Sequence, residues 1–345
     1  MTGAAGMPTM VLYNNKVTDM PLPQCLPRRA GLRFLKAAAA LAVAGLATAC
    51  LPVPGVAATL EVGPGKTYAM PSAAIAAAQD GDHIVIAAGN YFDCAFVKAN
   101  NLTIEGAGPD ATVITDKVCG GKALLVIDGN NTTVRNLTLT RARVPDFNGA
   151  GIRAEGGNLT IDNVNFVNNQ DGILAASMPG KTIIVRNSQF LRNGACEPGH
   201  GCAHGLYVGQ LALLRVEHSK FFETKHAHHI KSRAARTEVI GCDLADGPNG
   251  NSSYAVEIPN GGAVVLRDNH IEKGPKSENH TAALMIGTEG ITQPTPEILV
   301  EHNTFEVDGN YNSYLVDNMT ATPAELKGNI LKGNAKALHG DGEVQ

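Results

Sequence analysis

Side chains able to handle a proton or a carboxylate recur at matching places of short apolar segments. Tyr207, Lys231 and Glu257 occupy one place in successive segments, His229 lies two residues before Lys231, and Arg233 lies two after it. A carbon bearing a carboxylate is only weakly acidic, so removing its proton needs cations to absorb enolate charge, a base and an acid. Lys231 and Arg233 can hold and neutralise the carboxylate, His229 can take the proton near neutral pH, and Tyr207 can return one to a leaving oxygen. The reverse assignment of His229 and Tyr207, or Lys231 as base, serves the same chemistry, with Glu257 orienting Lys231. The competing structural reading is a polar surface on which Lys231 and Glu257 form a cross-strand ion pair worth under ~1 kcal/mol.

Histidine is also clustered: His200, His204, His218, His226, His228 and His229 are six of the eleven in the chain. A transition-metal site built from His226, His228 and His229 would require side chains on one face, yet adjacent residues of a strand point to opposite faces. Assistance by Ca²⁺ at the carboxylate would draw on Asp171 and Glu257.

The elements that position these groups repeat. A six-residue pattern that starts and ends on an apolar residue recurs at 134–139, 161–166, 185–190, 216–221, 239–244, 266–271, 300–305 and 326–331. Successive copies lie 27, 24, 31, 23, 27, 34 and 26 residues apart, and each interval holds a second short strand. Such strands, separated by Gly/Asn turns, cannot bury an apolar face alone; coils stacked at about 4.8 Å can. The pattern predicts a parallel β-helix, because the Leu lattice and helical half of leucine-rich repeats are missing. In the second strand, Ile152, Ile173, Leu206, Ile230, Val256, Leu284 and Leu315 are expected to point inward. One place later the outward column reads Arg153, Leu174, Tyr207, Lys231, Glu257, Met285 and Val316, with Arg153, Glu257 and Met285 expected to line the substrate. Strict alternation also turns His229 outward and His204 and His228 inward, as hydrogen-bonded core residues. The two longest intervals place extra loop at 194–203 and 274–295, where solenoid insertions wall a groove.

Residues 1–58 read as an N-terminal extension plus a secretory signal peptide: Arg28, Arg29, Arg33 and Lys36, then an apolar run from Ala37 to Ala49, then Val56-Ala57-Ala58. Cleavage is expected after Ala58, giving a periplasmic or secreted protein, with a lipoprotein anchored at Cys50 as the alternative. Beyond residue 60 no apolar run reaches the ~18–20 residues of a membrane span. Removing residues 1–58 takes five basic residues and one acidic, leaving 23 against 31 and a net charge of −8. That balance argues against nucleic acid as a partner. Five cysteines remain, so two disulfides and one thiol are expected: Cys94 with Cys119, Cys196 with Cys202, and Cys242 buried at an apolar ladder position.

Pro71 to Gln79 reads as a short helix with Pro at its start, followed by Asp80-Gly81-Asp82, the strand Ile84 to Ala87 and Gly89-Asn90-Tyr91. This opening and the coils after it resemble the pectate-lyase-like right-handed parallel β-helix proteins, over residues 59–331, with 332–345 left as a polar tail. The resemblance implies an all-β solenoid with an N-terminal capping helix. It carries no catalytic residue across: the Asn-Thr-Asp and Asp-Asp motifs of polygalacturonase-type hydrolases and the Asp-Pro-His of alginate epimerases are absent. The combined expectation is an exported monomer that acts on an acidic, uronate-containing polysaccharide by lyase or C5-epimerase chemistry. The alternatives are a non-catalytic glycan-binding or envelope protein and, third, a glycoside hydrolase.

Overall fold

The computed structural model describes residues 57–345. The basic cluster, the apolar run and Cys50 of the signal-peptide reading lie outside the described residues. Among the described residues no helix is long and apolar enough to cross a membrane.

The strands form two sheets, of twenty and ten strands. Every repeat position pairs with its counterpart one coil on: Val134 with Ile161, then Val185, Val216, Val239, Leu266, Val300 and Leu326, all in parallel register. Strands Thr132–Thr140 and Leu159–Val167 run through both halves of the larger sheet. In later coils this span is two short strands with a bend between them, at a residue in the left-handed conformation: Asn187, His218, Gly241, Asp268, His302 and Gly328. Asn and Gly suit that conformation, which other side chains resist.

Two internal ladders hold the coils in register. Phe166, Phe190 and Phe221 stack with ring centroids 4.6 and 4.3 Å apart. Directly after each bend runs a polar ladder, Ser188, Ser219, Cys242, Asn269, Asn303 and Asn329, in which each side chain satisfies the backbone of the coil before it. The Asn269 N–H donates to Asn303 Oδ1 at 3.0 Å, and the Cys242 N–H to Asn269 Oδ1 at 2.8 Å. These bonds answer the amides that a bend inside the solenoid leaves unpaired. Cys242 therefore sits in a polar ladder, not an apolar one; it is free and buried, and burial pushes its thiol up to about 12. The other four cysteines among the described residues form the expected bonds, Cys94–Cys119 and Cys196–Cys202.

The helix Pro71–Ala77 buries Pro71, Ala74 and Ile75 at the N-terminal end. At the other end the solenoid runs past Leu331: Ala335–Gly340 pairs with Ser313–Asn318, and Gly342–Val344 with Ala324–Lys327. The segment expected as a polar tail thus adds strands to both sheets. A second difference lies in Ser313–Asn318, where Val316 pairs with Leu284 and Asp317 with Met285. Val316 is inside and Asp317 takes the outward place, because two adjacent apolar residues, Leu315 and Val316, satisfy either phase and both are buried.

Candidate functional site

The ten-stranded sheet carries the site. Strands Leu206–Val208, Ile230–Ser232 and Val256–Ile258 are only three residues long and pair in register, which places Tyr207, Lys231 and Glu257 side by side on the outer face. Arg233 follows Lys231 by two and reaches the same face, where its Nε donates to the Tyr207 hydroxyl at 2.9 Å. Lys231 Nζ lies 2.8 Å from Glu257 Oε2 and 5.9 Å from the Tyr207 ring centroid. Both insertions border this patch: a cleft of about 450 Å³ is lined by Cys196, Gly201 and Cys202 of one and by Glu278 of the other, with His204, Tyr207, His228 and Lys231 among its remaining walls. Glu289, also from the second insertion, stands 2.9 Å from Lys231 and 2.7 Å from Arg233.

His229 is not part of the cleft. It is fully buried, its Nδ1 2.7 Å from Thr224 Oγ1 and its Nε2 3.4 Å from Asp246 Oδ1. Alternation failed because residue 229 precedes a strand that begins at Ile230; the chain is still turning the corner there. The equivalent residues Gly172 and Gly205 also face inward, where an added Cβ would come within 2.7 Å of Phe190 and 3.2 Å of Phe221. Where the ladder changes from Phe221 to Leu244, the column admits a side chain, and His229 fills it.

The same corner turns His204 and His228 toward the cleft and not inward, although both are buried and hydrogen-bonded as expected. Their rings lie 4.9 Å apart, with Tyr254 stacked on His228 at 5.1 Å. The His228 N–H donates to His204 Nδ1 at 3.3 Å and the Tyr254 N–H to His228 Nδ1 at 3.2 Å. Each neutral ring therefore carries its proton on Nε2. That of His228 faces Glu257 Oε2 at 3.0 Å, while His204 Nε2 has no partner among the described residues. Burial holds His204 well below the usual imidazole range, and burial lowers His228 too, against the pull of Glu257. Both are neutral donors at neutral pH. Burial works against the charge of Lys231, yet the hydrogen bonds to Glu257 and Glu289 outweigh it and hold the ammonium above its ordinary value. Burial alone would raise Glu257, but His228 and Lys231 hold it far below the usual carboxylate range.

Arg153 lies on the same outward column two coils before Tyr207, 3.3 Å from Glu155. Met285 follows Glu257 on that column and is buried. Neither residue expected to ligate Ca²⁺ is free to do so. Asp171 is buried, accepts the His204 N–H at 2.6 Å and is pushed by burial well above the carboxylate range, while Glu257 is taken by Lys231, His228 and Thr288. The three histidines considered for a metal point to Glu278, Glu257 and Asp246 respectively. Among the described residues no group of three His, Cys, Asp or Glu is arranged to hold a metal ion. Sequence parity missed His204, His228 and Glu289; the loop lengths alone pointed to the insertion that supplies the last.

A family model described as "Right handed beta helix region" matches residues 83–244. No curated protein matches the chain in sequence. Among solved structures, an alginate lyase from Paenibacillus sp. aligns over 83% of this chain and 99% of its own, at 19% identity and a TM-score of 0.66. A Geobacillus virus E2 protein, ORF18, aligns over 78% of this chain and 57% of its own (13% identity, TM-score 0.50). A pectate lyase aligns over 82% and 79% (13% identity, TM-score 0.48). At these identities the likeness concerns the fold.

Proposed function

We propose, from the premise that this chain is a pectate-lyase-like right-handed parallel β-helix, that its cleft cleaves a uronate-containing polysaccharide by β-elimination. The observation that carries the reading is Tyr207, its hydroxyl held at 2.9 Å by Arg233 and flanked by Lys231, on the floor of a cleft walled by two insertions. Lys231 and Arg233 bind the uronate carboxylate and take up the charge that moves onto it when the neighbouring C5–H bond breaks. Tyr207 is the proton carrier: the Arg233 Nε–H donates to its oxygen at 2.9 Å, and that oxygen acts as base once its own proton has passed to solvent. That oxygen takes the C5 proton; the C–H electron pair becomes the C4–C5 double bond; the C4–O bond breaks, and the leaving oxygen recovers the proton from Tyr207. His229 has no part, and Lys231, held charged by two carboxylates, serves as electrophile, not base. The free Nε2–H of His204 is placed to donate to a sugar hydroxyl.

The alginate lyase that shares this fold makes alginate the first polymer to test, followed by pectate and hyaluronan. The elimination creates an unsaturated uronate that absorbs in the ultraviolet. The expected result is a rise in absorbance, reduced by about 10²-fold or more in Tyr207→Phe. That variant removes one exposed-side hydroxyl and keeps stability within about 1 kcal/mol. Retention of a polymer without any rise would replace the lyase reading with that of a binding protein.

A further inference from the structure

Glu289 is a carboxylate clamped between the two cations that the proposed function assigns to the substrate's carboxylate. Its Oε1 is 2.9 Å from Lys231 Nζ and its Oε2 2.7 Å from Arg233 Nη1. The layering is one-sided: the Lys231 and Arg233 side chains are 12% and 22% exposed, whereas Glu289 is 43% exposed and covers them from the solvent side. Before substrate binds, with the Tyr207 hydroxyl intact, Lys231, Arg233, Glu257 and Glu289 sum to zero charge. Without Glu289, Lys231 keeps Glu257 and Arg233 keeps Tyr207 and Asn260, and one positive charge faces the cleft. One carboxylate restores the balance.

We infer that Glu289 occupies the seat of the substrate's uronate carboxylate and must rotate out for the sugar to bind, so that it sets the selectivity of the cleft for carboxylate-bearing sugars. The inference rests on the uronate reading of this site. Movement of the side chain suffices, because the loop is held without it. The Gly287 N–H donates to Ile258 O (2.9 Å), the Glu289 N–H to Pro259 O (3.0 Å), and those of Thr292 and Gln293 to Asn260 O (3.0 and 3.1 Å). Thr288 Oγ1 donates to Glu257 Oε1 at 2.8 Å. The backbone turns at Gly287 and Gly290, with φ of 95° and 85°, carry Glu289 at the tip between them. An internal occupant lowers apparent affinity by the fraction of time the seat is filled, and a partly exposed ion pair fills it only part of the time. A neutral sugar or a sulfate lacks the flat pair of oxygens that spans Lys231 and Arg233 as Glu289 does.

The test is titration calorimetry of wild type, Glu289→Ala and Glu289→Gln with mannuronate and glucuronate, and with mannose and glucose as uncharged controls, after thermal melting shows each protein folded. Glu289→Ala should bind the uronates roughly threefold to tenfold tighter than wild type, Glu289→Gln should fall between, and the neutral sugars should not discriminate. Uronate binding that is equal or weaker in both variants overturns the inference and leaves the uronate reading standing. No uronate binding by any of the three proteins overturns that reading, and the inference with it. A polymer assay supplies the kinetic counterpart: KM falls in Glu289→Ala while kcat holds, where a merely structural strap would lower kcat as the loop loosened.

Discussion

At the scale of single residues, two histidines one position apart do different work, and the difference is measurable. His229 pairs with Asp246 inside the solenoid, both fully buried; His228 lines the cleft and orients Glu257. Truncating His229 strands a buried carboxylate, which costs about 2–4 kcal/mol. His229→Ala should therefore unfold at lower denaturant while the folded fraction keeps near wild-type kcat, the reverse of Tyr207→Phe. A large loss of kcat at unchanged stability would return His229 to the chemistry. Its outward placement was the natural reading of the sequence, because alternation holds for as long as the strand does. With strands of three residues, one step beyond the end is already a corner, and there the Phe ladder decides which way a side chain turns.

Among the elements, the corner after Asp243–Ala245 and His270–Lys273 gathers Asp246, Lys273, Ser252 and Ser277 inside the fold. Lys273 donates to Ser253 O at 2.6 Å and, by burial, is lowered to about 8 despite Asp246 nearby. Unfolded, its ammonium titrates near 10.4. Between about 8 and 10.4 the unfolded chain binds more protons than the folded one, so this group's contribution to stability rises with pH through that window; below about 8 its full cost, about 3 kcal/mol, is present. The difference in unfolding free energy between wild type and Lys273→Met should therefore shift in favour of wild type from pH 8 to 10.5, and a flat difference would show Lys273 to be unperturbed. Nothing in the sequence marked this corner, since Asp246 and Lys273 are 27 residues apart and no pattern tells a buried Lys from a surface one. The coils themselves were legible to the residue. Each repeat places an apolar residue on the same rung, and all eight rungs pair as the spacing requires. In the site sheet only Ser313–Asn318 slipped, where the adjacent Leu315-Val316 pair removed the constraint.

For the whole molecule, the solenoid turns a column of side chains into a track. Stacked at about 4.8 Å per coil, Arg153 lies about 10 Å before Tyr207, on the side away from Glu257, Met285 and Asp317. The two ends of the track differ in charge. Arg153 and Lys122 share the single carboxylate of Glu155, leaving a net positive charge, whereas Asp317 stands at the C-terminal side. On the uronate reading proposed above, an acidic chain bound at Lys231 and Arg233 would be drawn along the coils toward the N-terminal end, where its next reachable carboxylate would meet Arg153. Substrates long enough to span both places should gain from that contact and short ones should not. Arg153→Ala is expected to raise KM roughly threefold to tenfold for the polymer, to leave KM for the shortest cleavable oligomer unchanged, and to spare kcat on both, since a cation on the rim of the track adds about 1 kcal/mol of binding and touches no reacting atom. The comparison of polymer with oligomer decides it. An equal rise for both lengths would mean that Arg153 acts by supporting Tyr207 through the sheet; no rise for either would mean that the chain lies across the coils, leaving the column as the wall of a local pocket.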